Sequence, residues 1–399
     1  MVPGTKWPFC TRYRRNYSQS IRRQKMKIAA FKVEEWMNEY EIDAEYNIAE
    51  TCVESLTVEE LLNFSDDPAA RLEEIKKMQL TYGDIKGSAA FKKGVSSLYE
   101  TVDPQNILPS HGAIGANFLL LYSLVESGDQ VVSVFPTYQQ LYSIPESFGA
   151  EVKKLDLKYE DGFLPDLEKL RSLVTNKTKL IAINNPNNPS GVVMKREILE
   201  GIVEIAKAAD AYILADEVYR GFDLEEEIPS IADLYEKGIS VGSMSKVFSL
   251  AGLRMGWIAG PKEVIELCQL HRDYTTISNS MISDYLSVIA LENKEQLLKR
   301  NLAKVRKQLQ ILDDWVQNED LIEYVKPNGG TTAFLKYKLD LDSESFAKSL
   351  YEEKGVLVVP GIAFGRDKFM RIGFAGKEEE LRAGLALLKE FLHENRNNF

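Results

Sequence analysis

The stretch 243–257 brings an amine, two hydroxyls and a guanidinium together: Ser243, Ser245, Lys246 and, eight residues past the lysine, Arg254. A lysine amine can condense with a carbonyl to a Schiff base when desolvation and nearby cationic groups keep it nucleophilic. Two small hydroxyl donors and a forked, permanently charged cation are what a phosphate group asks for. An amine beside such a cradle implies a bound group that carries both a carbonyl and a phosphate. The competing reading is a surface turn with a solvated Lys and Arg, which is how an isolated lysine would be taken.

Other segments supply matching groups. Residues 211–219 read as a buried strand ending in an acid, Asp216, and strand carboxyl ends are where open α/β sheets place ligands. A carboxylate there suits a ring nitrogen that must stay protonated, which points to pyridoxal 5'-phosphate (PLP). Tyr219 is placed to donate to the ring's phenolate oxygen and so tune the lysine adduct. Taken singly, Asp216 is as readily a helix cap and Tyr219 a core aromatic. The strand 179–184 runs into 185–191, a Pro/Asn/Gly cluster that is also ordinary turn chemistry. Gly112, Ala113 and Ile114 stand before the apolar helical run 117–125, where the N–H groups and dipole of a helix start favour an anion and small residues allow close approach. Residues 128–138 read as a strand ending in Pro136-Thr137-Tyr138.

The whole of 243–257 resembles the lysine signature of class I and II PLP-dependent aminotransferases, and the other segments follow in that family's order from about Phe31 to the end of the chain. The resemblance implies that Lys246 binds the cofactor and that Asn188, in Asn188-Pro189-Ser190-Gly191, meets the phenolate oxygen and the substrate. It implies that Tyr138 stacks on the ring, that Tyr82 reaches across a homodimer interface to the neighbour's phosphate, and that Arg371 holds the substrate α-carboxylate. The last role fits the chemistry, because a planar guanidinium grips a carboxylate bidentately, although an internal ion pair would equally account for an arginine in an apolar strand. The implied fold is that of a fold type I PLP-dependent transferase: α/β, with a mainly parallel seven-stranded sheet between helices in a large domain, plus a smaller α+β domain. The implied activity moves an amino group between an L-amino acid and a 2-oxo acid by a ping-pong cycle. A lyase (C–S β-lyase-like) or a cyclase acting on an arginine derivative would use the same contacts. A non-enzymatic PLP-binding regulator would need a DNA-binding module, for which the basic leader is too short. In a pseudoenzyme a cofactor position should be lost, and all are filled.

Two departures bear on substrate. Residues 47–57 contain no glycine where many relatives carry a Gly-rich segment, and they offer Glu50 and Glu54 instead, which favours neutral or basic amino acids over aspartate. No arginine clearly matches a binder of a side-chain carboxylate; Arg272 is the candidate, in uncertain register.

The elements that must position these groups alternate as strand and helix from about 60 to 280, the pattern of a mainly parallel sheet covered on both faces. A helical stretch 281–317 leads to strands at 324–337 and 356–361 and a closing amphipathic helix at 378–395. The expected organisation is a basic leader over 1–30, an N-terminal segment 31–60 packing on the small domain, a large PLP-binding domain over 61–285 and a small domain over 286–399. With 399 residues and 44% hydrophobic content the chain can bury a large core, and a net charge of −11 does not suggest nucleic acid as a partner. Cys10, Cys52 and Cys268 are scattered without metal or disulfide spacing, as in a reducing cytoplasm, and His111, His271 and His393 suggest no metal cluster. No apolar run approaches the roughly 20 residues that span a bilayer. Residues 1–33 hold no acid; they read as a transit peptide, a disordered extension, or sequence ahead of a start at Met26.

Overall fold

Along residues 178–184 successive side chains enter opposite cores: Leu180 and Ala182 one, Ile181 and Ile183 the other. A strand apolar on both faces belongs in the middle of a sheet covered on both sides. The computed structural model, which describes residues 28–396, has that architecture. Its strands in chain order are β1 (Tyr46–Asn47), β2 (Ile107–His111), β3 (Gln130–Phe135), β4 (Glu151–Asp156), β5 (Thr178–Asn184), β6 (Tyr212–Asp216), β7 (Gly238–Ser243), β8 (Met255–Ala259), β9 (Ile322–Tyr324), β10 (Thr332–Tyr337), β11 (Val356–Leu357), β12 (Val359–Pro360) and β13 (Phe369–Gly373).

Seven strands form the large sheet in the order β2-β8-β7-β6-β5-β3-β4. The pairs from β4 through β7 are parallel, and β8 runs antiparallel to both β7 and β2. Parallel neighbours need crossovers, here helices such as Arg196–Ala208, whose Leu199, Ile202, Val203 and Ala206 are buried against the sheet. The helix Gly112–Leu124 lies on the other face, with Leu119, Leu120 and Leu124 in the second core. The expected fold class is therefore observed.

A four-stranded antiparallel sheet, β12-β13-β10-β9, carries the helix Ser343–Lys354, and the helix Glu378–Glu394 packs on that helix and on β1 and β11. The N-terminal segment reaches this part of the chain: β1 pairs in parallel with β11, and Gly373 N–H donates to Ile48 O at 2.9 Å. Three expected elements divide. The stretch 281–317 is two helices, Met281–Glu292 and Lys294–Gln317. Asn293 breaks it with a non-helical backbone; its N–H still donates to Ile289 O at 3.3 Å, and its side-chain Nδ2 shares that carbonyl at 2.9 Å. Between β9 and β10 the run Pro327-Asn328-Gly329-Gly330 interrupts pairing. Residues 356–361 leave one sheet for the other at Val358, whose carbonyl accepts the Trp36 indole N–H at 2.8 Å. Reading of the basic leader up to residue 27 lies outside the described residues.

Candidate active site

In register, Asn184 at the end of β5 stands beside Asp216 at the end of β6, and Asp216 beside Val241 of β7, so the carboxyl ends of three buried strands open at one place. β8 runs the other way, so its entry, just after Arg254, comes to the same edge, opposite His111 and the start of the helix Gly112–Leu124. A cavity of about 320 Å³ lies there. Ala113, Ile114, Tyr138, Asn188, Asp216, Tyr219, Ser243, Ser245, Lys246, Arg254 and Arg371 all line it. Two expected residues do not: Gly112 and Tyr82.

Gly112 requires a correction. Its N–H already donates to Arg254 O at 2.9 Å, so it cannot also serve an anion. Its part is spatial: its φ is +64°, and a side chain would stand 3.0 Å from Arg254 Nη2. The helix start has no side-chain cap, which leaves the N–H groups of Ala113 and Ile114 facing the cavity beside Arg254, Ser243 and Ser245. That is the donor set a phosphate needs. Gly256 lets β8 pass beneath; a Cβ there would lie 2.4 Å from Gly112 C and 2.6 Å from Ala113 N.

Asp216 is 3% exposed and accepts hydrogen bonds from Asn117 Nδ2 at 2.8 Å and Val218 N–H at 3.3 Å. Burial pushes its carboxyl up to about 6, although the Asn117 and Val218 bonds and the Lys246 charge pull it down. A buried carboxylate without a cation in contact fits a protonated ring nitrogen. Asn117 is a further residue of the site; its signal is an amide side chain at the start of a largely apolar helical run.

Lys246 Nζ donates to Thr51 Oγ1 at 2.7 Å and Cys52 Sγ at 3.2 Å. Arg254 and Arg371 line the same cavity, while the groups in contact with the amine are a hydroxyl and a thiol. Burial draws the Lys246 pKa down, but Cys52, Tyr219 and Glu50 outweigh it and the net shift is upward. The Cys52 thiol is pushed up, first by burial.

Arg371, in the middle of β13, is 4% exposed and makes no ion pair among the described residues. Nη2 donates to Ala49 O at 2.9 Å and Nη1 to Asn188 Oδ1 at 3.4 Å, while Nε has no partner. Burial lowers its pKa. A buried guanidinium with an unsatisfied N–H suits an incoming carboxylate. Tyr138 donates to Glu34 Oε1 at 3.3 Å, and its ring meets Phe31 at 5.0 Å between centroids.

The site also holds residues beyond those expected. Glu34 and Glu41, from the helix Lys32–Tyr40 and its C-terminal cap, line the cavity with Glu50. Burial works to raise the Glu50 carboxyl, but the Lys246 ammonium, hydrogen bonds from Cys52 and the Arg371 guanidinium hold it below the usual range. Glu54, expected near the substrate, instead pairs with Lys304 at 2.7 Å, outside the cavity. Arg272 is buried with Nη1 on Pro109 O at 3.0 Å and does not line the cavity. Tyr82 is 73% exposed. His393, expected to sit apart from any metal-type cluster, does stand with Glu319 and Asp320. Lys389 and Arg396 pair with those two acids. Among the described residues, no helix is long and apolar enough to cross a membrane.

The sequence profile of the family described as aminotransferase class I and II matches residues 55–388. A solved PLP-dependent aminotransferase from Streptococcus suis 89-1591 superposes with a TM-score of 0.90 at 48% identity, covering 92% of this chain and 99% of that one. A capreomycidine synthase of Streptomyces vinaceus is 30% identical over 370 residues, 92% of this chain and 94% of that protein. An aspartate aminotransferase of Thermotoga maritima is 29% identical over 333 residues, 80% of this chain and 85% of that protein. The chain belongs to the class I and II aminotransferase family: it is a PLP-dependent enzyme that passes an amino group between amino acids and keto acids.

Proposed function

We propose that, in this aminotransferase, Lys246 carries the proton, Asp216 anchors the cofactor's ring nitrogen and Arg371 receives the substrate's α-carboxylate. One observation supports this above all. A lysine, a buried carboxylate with no cation in contact and a buried arginine with no anion in contact share a single cavity. When bound, PLP supplies an electron sink for the pair left at the substrate's Cα. Lys246 Nζ takes the Cα proton and returns it as an acid on the other side of the transfer. Asn117 keeps Asp216 aimed through its 2.8 Å bond, and Asp216 keeps the ring nitrogen protonated. Asn188 and Tyr219 donate towards the ring's phenolic oxygen, and Tyr138 covers the ring. Ala113 N–H, Ile114 N–H, Ser243, Ser245 and Arg254 hold the phosphate.

The working form is read as a homodimer in which Tyr82 completes the neighbour's phosphate site. Leu80, Tyr82 and Tyr274, exposed by 81%, 73% and 90%, support it, since large apolar side chains left outside in number mark an interface. Residues 61–285 are taken as the large unit and 286–399, joined by 31–60, as the small one; the pairing of β1 with β11 supports that division. A cytoplasmic location fits the scattered cysteines. The likeness to a capreomycidine synthase favours one second reading, a lyase or cyclase outcome with the same residues. Recovery of a keto acid from the donor, with the amine form of the cofactor, separates transfer from it.

The test is chemical. Borohydride should bleach the visible absorbance of the yellow enzyme and leave the label on Lys246, and Lys246→Ala should abolish turnover while retaining part of the cofactor. Undiminished transfer by that variant removes Lys246 from the role.

A further inference from the structure

Set against the groups they serve, the charges of the cavity do not balance. Its lining cations among the described residues are Lys246, Arg254 and Arg371. In the reading above these are committed to the cofactor, its phosphate and the substrate α-carboxylate, and Asp216 to the ring nitrogen. Glu34, Glu41 and Glu50 remain, and among the described residues none of them forms an ion pair.

Glu41 senses the other two. Burial, then the charges of Glu50 and Glu34, push the Glu41 carboxyl up. Against its burial, Glu50 is kept ionised by Lys246, by the Cys52 hydrogen bonds and by Arg371, and those two cations are the ones that cofactor and substrate engage. With both engaged, Glu50 keeps the Cys52 N–H at 2.7 Å but stands beside Glu34 and Glu41 with no cation to answer it, which favours an incoming one. A second observation marks the other end of the ligand. Arg371, 4% exposed, lines the same cavity and keeps Nε without a partner.

Resting on the aminotransferase reading, we propose that Glu34, Glu41 and Glu50 receive the cationic end of the substrate side chain, an ammonium or a guanidinium, so that the amino donor is a basic α-amino acid. The donor spans the cavity with its α-carboxylate on Arg371 and its distal cation on the acidic side. An acidic donor finds no free cation for its second carboxylate and meets three like charges instead.

The wild-type holoenzyme decides this in donor half-reactions with arginine, ornithine, lysine, norleucine and aspartate, read as loss of the visible absorbance of bound PLP. The leading cationic donor should exceed norleucine in kcat/KM by about tenfold or more, with aspartate below norleucine. Arginine in the lead identifies a guanidinium; ornithine or lysine in the lead identifies an ammonium. Glu50→Gln and Glu41→Gln should each cut the ratio of the leading cationic donor to norleucine by about tenfold, whereas a merely structural role lowers both donors together. Norleucine or aspartate matching the cationic donors overturns the proposal and leaves the aminotransferase reading standing. Absence of any spectral change with all five overturns the residue assignment and the proposal together.

Discussion

Replacing Asp216 with Asn should make the cofactor-free protein more stable while making the enzyme nearly inactive. Burial raises the Asp216 carboxyl from its ordinary 3.8 to about 6, which corresponds to about 3 kcal/mol against the ionised form. The sign follows from linkage: a carboxyl that binds its proton more tightly folded than unfolded contributes stability that is complete below 3.8 and is lost as the pH rises through 6. Above pH 7 the wild-type apoprotein therefore bears the whole cost, and the asparagine variant bears none of it. Asn117 Nδ2 can still donate to a carboxamide oxygen, and loss of the 3.3 Å bond from Val218 N–H is a fixed cost at every pH. The diagnostic is thus a difference between two pH values. Urea unfolding of both apoproteins should show the variant gaining about 1–2 kcal/mol on wild type between pH 5 and pH 8. In the loaded enzyme the order reverses, because the protonated ring nitrogen loses its counter-ion, and turnover should fall by orders of magnitude. A stability difference that is flat from pH 5 to pH 8 would refute the buried, cation-seeking carboxylate.

Arg371→Lys keeps the charge but loses the fork, so kcat/KM for every amino-acid donor should drop together by about 10–100-fold; a loss confined to some donors in steady-state kinetics contradicts an α-carboxylate role. Gly256→Ala drives a Cβ into backbone of Gly112 and Ala113 at 2.4 and 2.6 Å, which should cost about 1–3 kcal/mol in denaturant titration and loosen PLP in equilibrium dialysis. Where Tyr82→Phe lowers turnover well below wild type, mixing it with Lys246→Ala subunits should restore part of the activity, because one site of the mixed dimer then carries neither lesion. A fully active monomer in sedimentation excludes that arrangement.

What could be read from the sequence was whatever sits in short stretches at strand ends. Asp216 follows an apolar strand, Lys246 trails β7 by three residues, and Arg371 interrupts an apolar strand, so type and spacing disclose them locally. The residues that escaped are brought in by contacts distant in the chain. Asn117 matters because of a partner 99 positions away. Glu34 reaches the cavity because Lys32 N–H meets Gln139 Oε1, 107 positions on, and Trp36 meets Val358, 322 positions on. Gly112 was misjudged as a donor because nothing in its neighbourhood announces that the Arg254 carbonyl occupies its N–H. The division of 281–317 at Asn293 was equally hidden, since periodicity continues across a residue whose side chain caps the first helix.

The ties between β13 and the N-terminal segment have a metrical consequence. Gly373 N–H on Ile48 O and Arg371 Nη2 on Ala49 O, both at 2.9 Å, fasten residues 48–50 to the strand that carries Arg371. The guanidinium proposed for one end of the substrate and the Glu50 carboxylate proposed for the other are thus mounted on one block, held by one main-chain bond and one side-chain bond. Such a pair works as a ruler. Along a homologous series of α,ω-diamino acids the rate should pass through a maximum at one chain length, with about a tenfold fall or more for each methylene added or removed, instead of rising steadily with apolar surface.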